Sequence, residues 1–440
     1  GTVDVGNSRT DLLKFTGTSY DIDTGTATFE AKAGAGTIEI DNSSAVEFIT
    51  DGTDITFDTG SIKLSGGSST TITTGTGAGV VQIDGAIDSN TSTAENLTII
   101  SGTGNLVVDG AIGANVNLGT IDINSGTADG DGDVTVAAIG ASGSSGATGA
   151  IAIGNTATDV LTLDGQIYES ASTQTYTAET GEFSILLKPG DASNKTIAFT
   201  TAGGNVKFAT GDVELYGDNT HTIDTGTSGG TVIFDGDIRS GDGGSNDSLV
   251  IKSGTGAVTI TGHIGVTATK ELGGLLINDG SGGNTSAATK SGTITLSDNI
   301  GNSGATPTTP GVIGTTTIGN TNTDSISFGG TLYSFNGTTT ITSKTGANIN
   351  VAKTGGATVE FETSNDSLTF ATGDIDLENN VTLNVNSAGG AISIAGIAGD
   401  SAEIVVIDAN ESGDTGANET VTIGDVGDTS HAQIHNLTIS

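Results

Sequence analysis

Three aspartates at alternate positions, Asp129, Asp131 and Asp133 in the run DGDGD, come closest in this sequence to a metal-binding pattern. Hard carboxylate oxygens at i, i+2 and i+4 open a calcium loop, where they converge on one ion. No Gly follows at the sixth position and no Glu stands at the twelfth, so the pattern ends after three candidate ligands. A second Gly/Asp-rich run, GDGGSNDSL from Gly241, has the texture of a calcium turn without tandem repetition. Calcium is therefore the one cofactor the residues suggest, and a plain acidic loop is the alternative. The four histidines, at 221, 263, 431 and 435, lie in separate strand-like contexts and are expected to face solvent. His431 and His435 share one face of a strand but stand too far apart to chelate one ion.

Other reactive patterns are missing or incomplete. Polysaccharide-cleaving folds need clustered carboxylates with a basic or metal partner. Here only Arg9 and Arg239 are arginines, and the lysines are scattered singly. The Gly-rich runs lie between strands, with no following helix and no Lys-Ser/Thr pair to close a phosphate loop. No catalytic residue is expected, and the chain does not read as an enzyme. Asn-x-Ser/Thr sequons such as Asn42, Asn96, Asn194, Asn336 and Asn436 are frequent, as chance dictates in a chain so rich in these residues.

The surrounding elements are short strands. Gly accounts for 71 of 440 residues, aromatics for 4%, and Cys, Met and Trp are absent, so a globular core built on bulky rings is excluded. Low hydrophobicity and a net charge of −38 would by themselves place the chain near the disordered class. Patterning overrides that, because apolar β-branched residues alternate with Thr, Ser and Asp over Val80 to Ile83, Thr231 to Phe234 and Val258 to Ile260. With 51 acidic against 13 basic residues, nucleic acid and anionic membrane are not expected partners, whereas divalent cations and neutral glycans are compatible. No apolar run approaches eighteen residues, so membrane insertion is not expected. A chain without Met is expected to be a processed product or an internal window of something longer.

Self-similarity is the strongest signal. VEFITDGTDITFDTG at Val46 to Gly60 returns as VEFETSNDSLTFATG at Val359 to Gly373, and NVKFATGDVEL at Asn205 to Leu215 is a middle copy. GNSRTDLLKF from Gly6 returns as GNTATDVLTL from Gly154 and GNTNTDSISF from Gly319. These landmarks divide the chain into repeat units 1–153, 154–318 and 319–440, the last incomplete. The pattern predicts an all-β parallel β-solenoid of three degenerate units, with tandem β-sandwich domains as the alternative. At roughly 20 residues per coil the chain would form about 20 coils. Four stretches with little strand character, Asn124 to Asp133, Ala141 to Gly149, Asn278 to Gly292 and Gly301 to Gly311, read either as insertions on one face where partners are met or as tolerated surface loops.

NLTIISGTGNLVVDGAIG (Asn96 to Gly113), TQTYTAETGEFSILLKPG (Thr173 to Gly190) and AVTITGHIGVTATKELGGLLINDG (Ala257 to Gly280) resemble the β-strand-repeat passengers of filamentous-haemagglutinin-like exoproteins and autotransporter adhesins. The resemblance spans nearly the whole chain. It implies a right-handed parallel β-helix, export to the bacterial outer surface, and work in adhesion or filament building. The expected function is that of a secreted structural protein that self-associates end to end into a surface filament. An adhesin docking glycans or cell surfaces through its loops, and a surface-layer lattice protein, are the alternatives.

Overall fold

The computed structural model describes residues 1–23, 25–90, 94–126, 130–143, 145–181, 184–190, 195–241, 247–266, 269–280, 290–302, 309–353, 355–364, 366–399, 402–409, 420–427 and 434–440. These contain strands and turns and no helix. The chain is a parallel β-solenoid, as the strand periodicity predicts, and not a string of sandwiches. It divides into two compact units, Gly1–Glu214 and Leu215–Ser440.

In the first unit each turn contributes three strands, one to each of three faces. Face 1 begins with Val3–Gly6, pairs in register with Ala27–Glu30 and then Ile55–Asp58, and continues turn by turn to Ile185–Leu187. Face 2 runs from Leu12–Phe15 through Thr37–Asp41, Ser61–Ser65 and Ile87–Ser89, narrows to single bridges at Ile112 and Ile139, and widens again at Ile167–Ser170. Face 3 runs from Ser19–Ile22 to Val206–Ala209. Turns are longer than the twenty residues expected. Val3 to Ala27 spans 24 residues and Ala27 to Ile55 spans 28, so the coils are fewer and wider than anticipated.

The second unit is built in the same way. Face 4 carries Thr220–Asp224, Ser248–Lys252, Gly274–Ile277, Thr316–Ile318 and Thr339–Thr342, and then the leading halves of Leu368–Glu378, Ile392–Gly399 and Val421–Val426. Face 5 starts at Val232–Phe234 and takes the trailing halves of those three long strands. Face 6 runs from Ile238–Ser240 by bridges at Ile264 and Ile300 to Leu332–Phe335, and ends at Asn436–Ile439.

Alternation explains the core. In Ile121–Ile123, Val134–Val136 and Leu161–Leu163 the outer residues point inward, fully buried, and the middle one faces out. The few aromatics gather in ladders. Tyr168 stacks on Phe199 at 5.2 Å and Tyr176 on Phe208 at 5.3 Å between ring centroids, each ring lying over its register partner in the next turn. Phe328, Tyr333, Phe361 and Phe370 form a similar group in the second unit. Such contacts contribute about 0.5–1.5 kcal/mol each beyond the area they bury.

Sequence repeat and turn are out of phase. The landmark at Gly6 closes a strand of face 1, whereas its copy at Gly154 follows Ile151–Ile153 of face 3. Likewise Ile55–Asp58 lies on face 1 and its copy Val206–Ala209 on face 3. The duplicated segment therefore does not hold a whole number of turns, and copies of one motif stand on different faces. This also scatters the insertions. In the first unit, 124–133 leaves the corner between faces 3 and 1, while 141–149 leaves the corner between faces 2 and 3. The expectation that they share one face is not met.

Candidate functional site

Asp129 lies outside the described residues. Asp131 and Asp133 are exposed on the approach to the strand Val134–Val136. The main chain there completes a corner, since the Asp131 carbonyl accepts from Asp159 N at 3.3 Å and the Asp133 carbonyl from Leu106 N at 2.8 Å. The intervening glycines have their own reason. A Cβ on Gly130, at φ +105°, would sit 1.6 Å from the Gly102 carbonyl oxygen of the preceding turn. Close stacking of turns thus requires Gly there, and the alternate acids are what the surface side of such a corner presents. Among the described residues no group of three or more His, Asp or Glu converges as a metal site. The second calcium candidate falls largely on 242–246, outside the described residues.

The histidines divide. His221 is buried at 1% exposure, contrary to expectation, with Nε2 3.8 Å from Asp247 Oδ1. Asp247 also accepts from Ser240 Oγ at 2.6 Å. The first unit has the same device, Ser89 Oγ donating to buried Glu95, so the Ser–carboxylate pair is a corner fastening. His263 is half-exposed between Asp237, at 3.4 Å, and Asp298, at 3.2 Å, one on either side along the column. His435 is exposed and His431 lies outside the described residues. Arg9 is exposed on a turn of the first unit, while Arg239 is buried in the second.

The GN…TD landmark is also structural. Asn155 N donates to Thr158 Oγ1 at 3.0 Å, Ala157 N donates to Asn155 Oδ1 at 2.7 Å, and Asn155 Nδ2 reaches the Asn124 carbonyl at 2.8 Å. Asn320 repeats all three contacts, with Thr323, Asn322 and Asn278. Buried side-chain amides there satisfy corner main-chain groups that no strand partner reaches. Among the sequons, Asn42 and Asn96 are engaged with Thr16 and Thr120, Asn336 and Asn436 are exposed, and Asn194 lies outside the described residues.

A motif overlooked in the sequence emerges as well. Tyr20, Tyr168 and Tyr333 each accept, through the phenolic oxygen, the main-chain N–H of the Gly three residues earlier, at 2.6, 3.0 and 2.6 Å. The recurrence of Gly-x-x-Tyr with the spacing of the GN landmark was the signal. Burial raises the phenols of Tyr168 and Tyr333 above the usual range.

No family model, curated protein or solved structure matches this chain.

On the upper turns of the second unit, the three faces differ. Face 5 presents Asn348 opposite Asp374, Asn350 opposite Asp376, and Ala352 opposite Glu378. Face 6 presents Glu360 and Glu362, with burial and then the neighbouring Glu362 holding the Glu360 carboxyl above its usual pKa. Face 4 carries no charge in its two outward ranks over five consecutive turns. One rank, a residue ahead of each strand, is Thr315, Thr338, Ser367, Ala391 and Thr420, whose carbonyls each accept from the strand of the preceding turn; the other, within the strands, is Thr317, Thr340, Thr369, Ser393 and Thr422. All ten positions are exposed or half-exposed. Toward lower turns the surface becomes more apolar at Val250 and Leu276, which line a shallow depression.

Proposed function

We propose that this chain is a stiff structural segment of a secreted bacterial surface filament, similar in kind to filamentous-haemagglutinin-like and autotransporter passengers. The observation that carries this reading is the unbroken register of parallel columns, such as Ile55, Val81, Leu106, Val134, Leu161 and Ile185 on face 1. Main-chain bonds link each turn to its neighbours, so a load along the columns is shared by many bonds at once. The polar motifs at Asn155, Asn320, Ser89 and Tyr168 serve corners, which is the economy of a mechanical part. End-to-end joining would extend the same main-chain pairing from copy to copy.

Electron microscopy of the secreted protein tests the proposal. Elongated particles that join into fibres support it, and isolated round particles at all concentrations refute it. We propose calcium at Asp129, Asp131 and Asp133 on their alternate spacing in the sequence, with a plain acidic loop as the alternative. A thermal shift with calcium that exceeds the shift in sodium chloride of equal ionic strength supports that site. The triple Asp→Asn variant should abolish the excess.

A further inference from the structure

We infer that face 4 of the second unit is an ice-binding surface. The argument starts from its two-dimensional mesh. Neighbouring strands stand about 4.8 Å apart, and outward residues two positions apart along a strand are about 6.7 Å apart. Pairs such as Thr317 over Thr340 and Thr340 over Thr369 are in register, so nine hydroxyls and the Ala391 methyl form a regular two-rank array over five turns. That mesh approximates the oxygen spacings on a prism face of hexagonal ice. Each Thr offers a hydroxyl that can take the place of a lattice water and a methyl that fills the space beside it.

Charge and ring content select among periodic ligands. The chain carries a net charge of −38, yet neither rank includes an ionisable residue, while faces 5 and 6 at the same height carry Asp376 and Glu360. Asp366, whose Oδ1 accepts from Thr338 Oγ1 at 3.5 Å, adds a negative charge beside the first rank, so an anionic membrane or a nucleic acid would find no counter-charge here, and a charged mineral would find no matching array of charges. A crystalline polysaccharide is ordinarily gripped by stacked aromatic rings, and the array has none. A second copy would gain little, because short side chains on two such faces have few apolar atoms to interdigitate. An ordered lattice of water matches what the face does present: neutral donors and acceptors at fixed spacing. This inference stands apart from the filament reading.

The test uses the full chain and ice itself. Wild-type protein, Thr340→Lys, Thr369→Lys, and the control Asn350→Lys on face 5 are frozen slowly on a cold finger, and their partition into ice is measured along with thermal hysteresis. Circular dichroism and the denaturation midpoint establish that each variant is folded. The expected result is that wild type and Asn350→Lys enter the ice and shape its crystals, while both face 4 variants lose partition and hysteresis. Exclusion of the wild type from ice overturns the inference, as does partition of folded face 4 variants at the wild-type level. Binding to cellulose or chitin without ice binding also overturns it. So does a concentration-dependent dimer in sedimentation that Thr340→Lys abolishes while ice binding is absent.

Discussion

Asn124 and Asn278 each hold a left-handed backbone, at φ 49°, within a buried corner. Asn124 Oδ1 accepts from Ser101 N at 2.9 Å and its Nδ2 donates to Ser101 Oγ at 2.9 Å; Asn278 holds Ser253 in the same way. Asn tolerates this backbone better than other residues with a Cβ, and its amide satisfies two groups that water cannot reach. Asn124→Ala loses both advantages and should destabilise by roughly 2–4 kcal/mol. Asn124→Gly keeps the backbone freedom and loses only the amide, so its denaturant midpoint should lie between Ala and wild type. Equal losses in the two variants would show that the backbone conformation contributes nothing. Asp164 acts in the opposite direction. Burial, then the charge of Asp109, raises its carboxyl above 3.8, and its Oδ1 is buried without a hydrogen-bond partner. A raised folded-state pKa means that the folded form holds the proton more tightly, so stability is lost as pH rises through that pKa. Asp164→Asn should therefore be more stable than wild type at neutral pH, and the difference should vanish below pH 3.8, as urea melts across pH will show.

At the scale of the strand and corner, tight stacking of turns rests on glycine. A Cβ on Gly85 would meet the Gly60 carbonyl oxygen at 1.8 Å, and one on Gly110 would meet the Gly85 carbonyl at 2.1 Å. Gly85→Ala should push two turns apart, and hydrogen exchange should quicken at Ile62 and Ile87, which flank that corner on face 2, before distant turns respond. Uniform quickening across the chain would contradict such nearest-neighbour behaviour. Much of this was legible beforehand. The two-residue alternation revealed strands such as Val258–Ile260, and the copies at Gly6, Gly154 and Gly319 revealed the repetition. The phase of the repeat was not legible, because a sequence period counts residues and a face depends on how many strands they form. His221 was read as solvent-facing because a lone His in a strand carries no sign of which neighbouring turn covers it. The two ranks of face 4 come from segments 23 to 29 residues apart, which only the strand register aligns.

For the molecule as a whole, the ruling quantity is charge held at fixed spacing. Unfolding lets 51 carboxylates move apart, whereas the fold stacks some of them at about 4.8 Å intervals along its columns. Gln82 bridges Asp84 and Asp109 of successive turns, at 2.6 and 3.0 Å, and Lys14 bridges Glu39 and Asp41, but the sequence holds 13 basic residues against 51 acidic ones. Salt screens this repulsion over about 10 Å at 0.1 M, more than the spacing between neighbouring turns. Screening should weaken repulsion in the ordered columns more than in the expanded chain, so sodium chloride should raise the denaturation midpoint steadily from low ionic strength to about 0.5 M. Neutral osmolyte at matched osmolality should not reproduce the charge-dependent part of that rise. A variant with neutral residues at Glu30 and Asp58 should show a shallower salt dependence than wild type, because it removes two acids that face each other in register across neighbouring turns and leaves every core rung in place. A midpoint indifferent to salt in both proteins would mean that the columns spread their charge well enough for repulsion to cost the fold nothing.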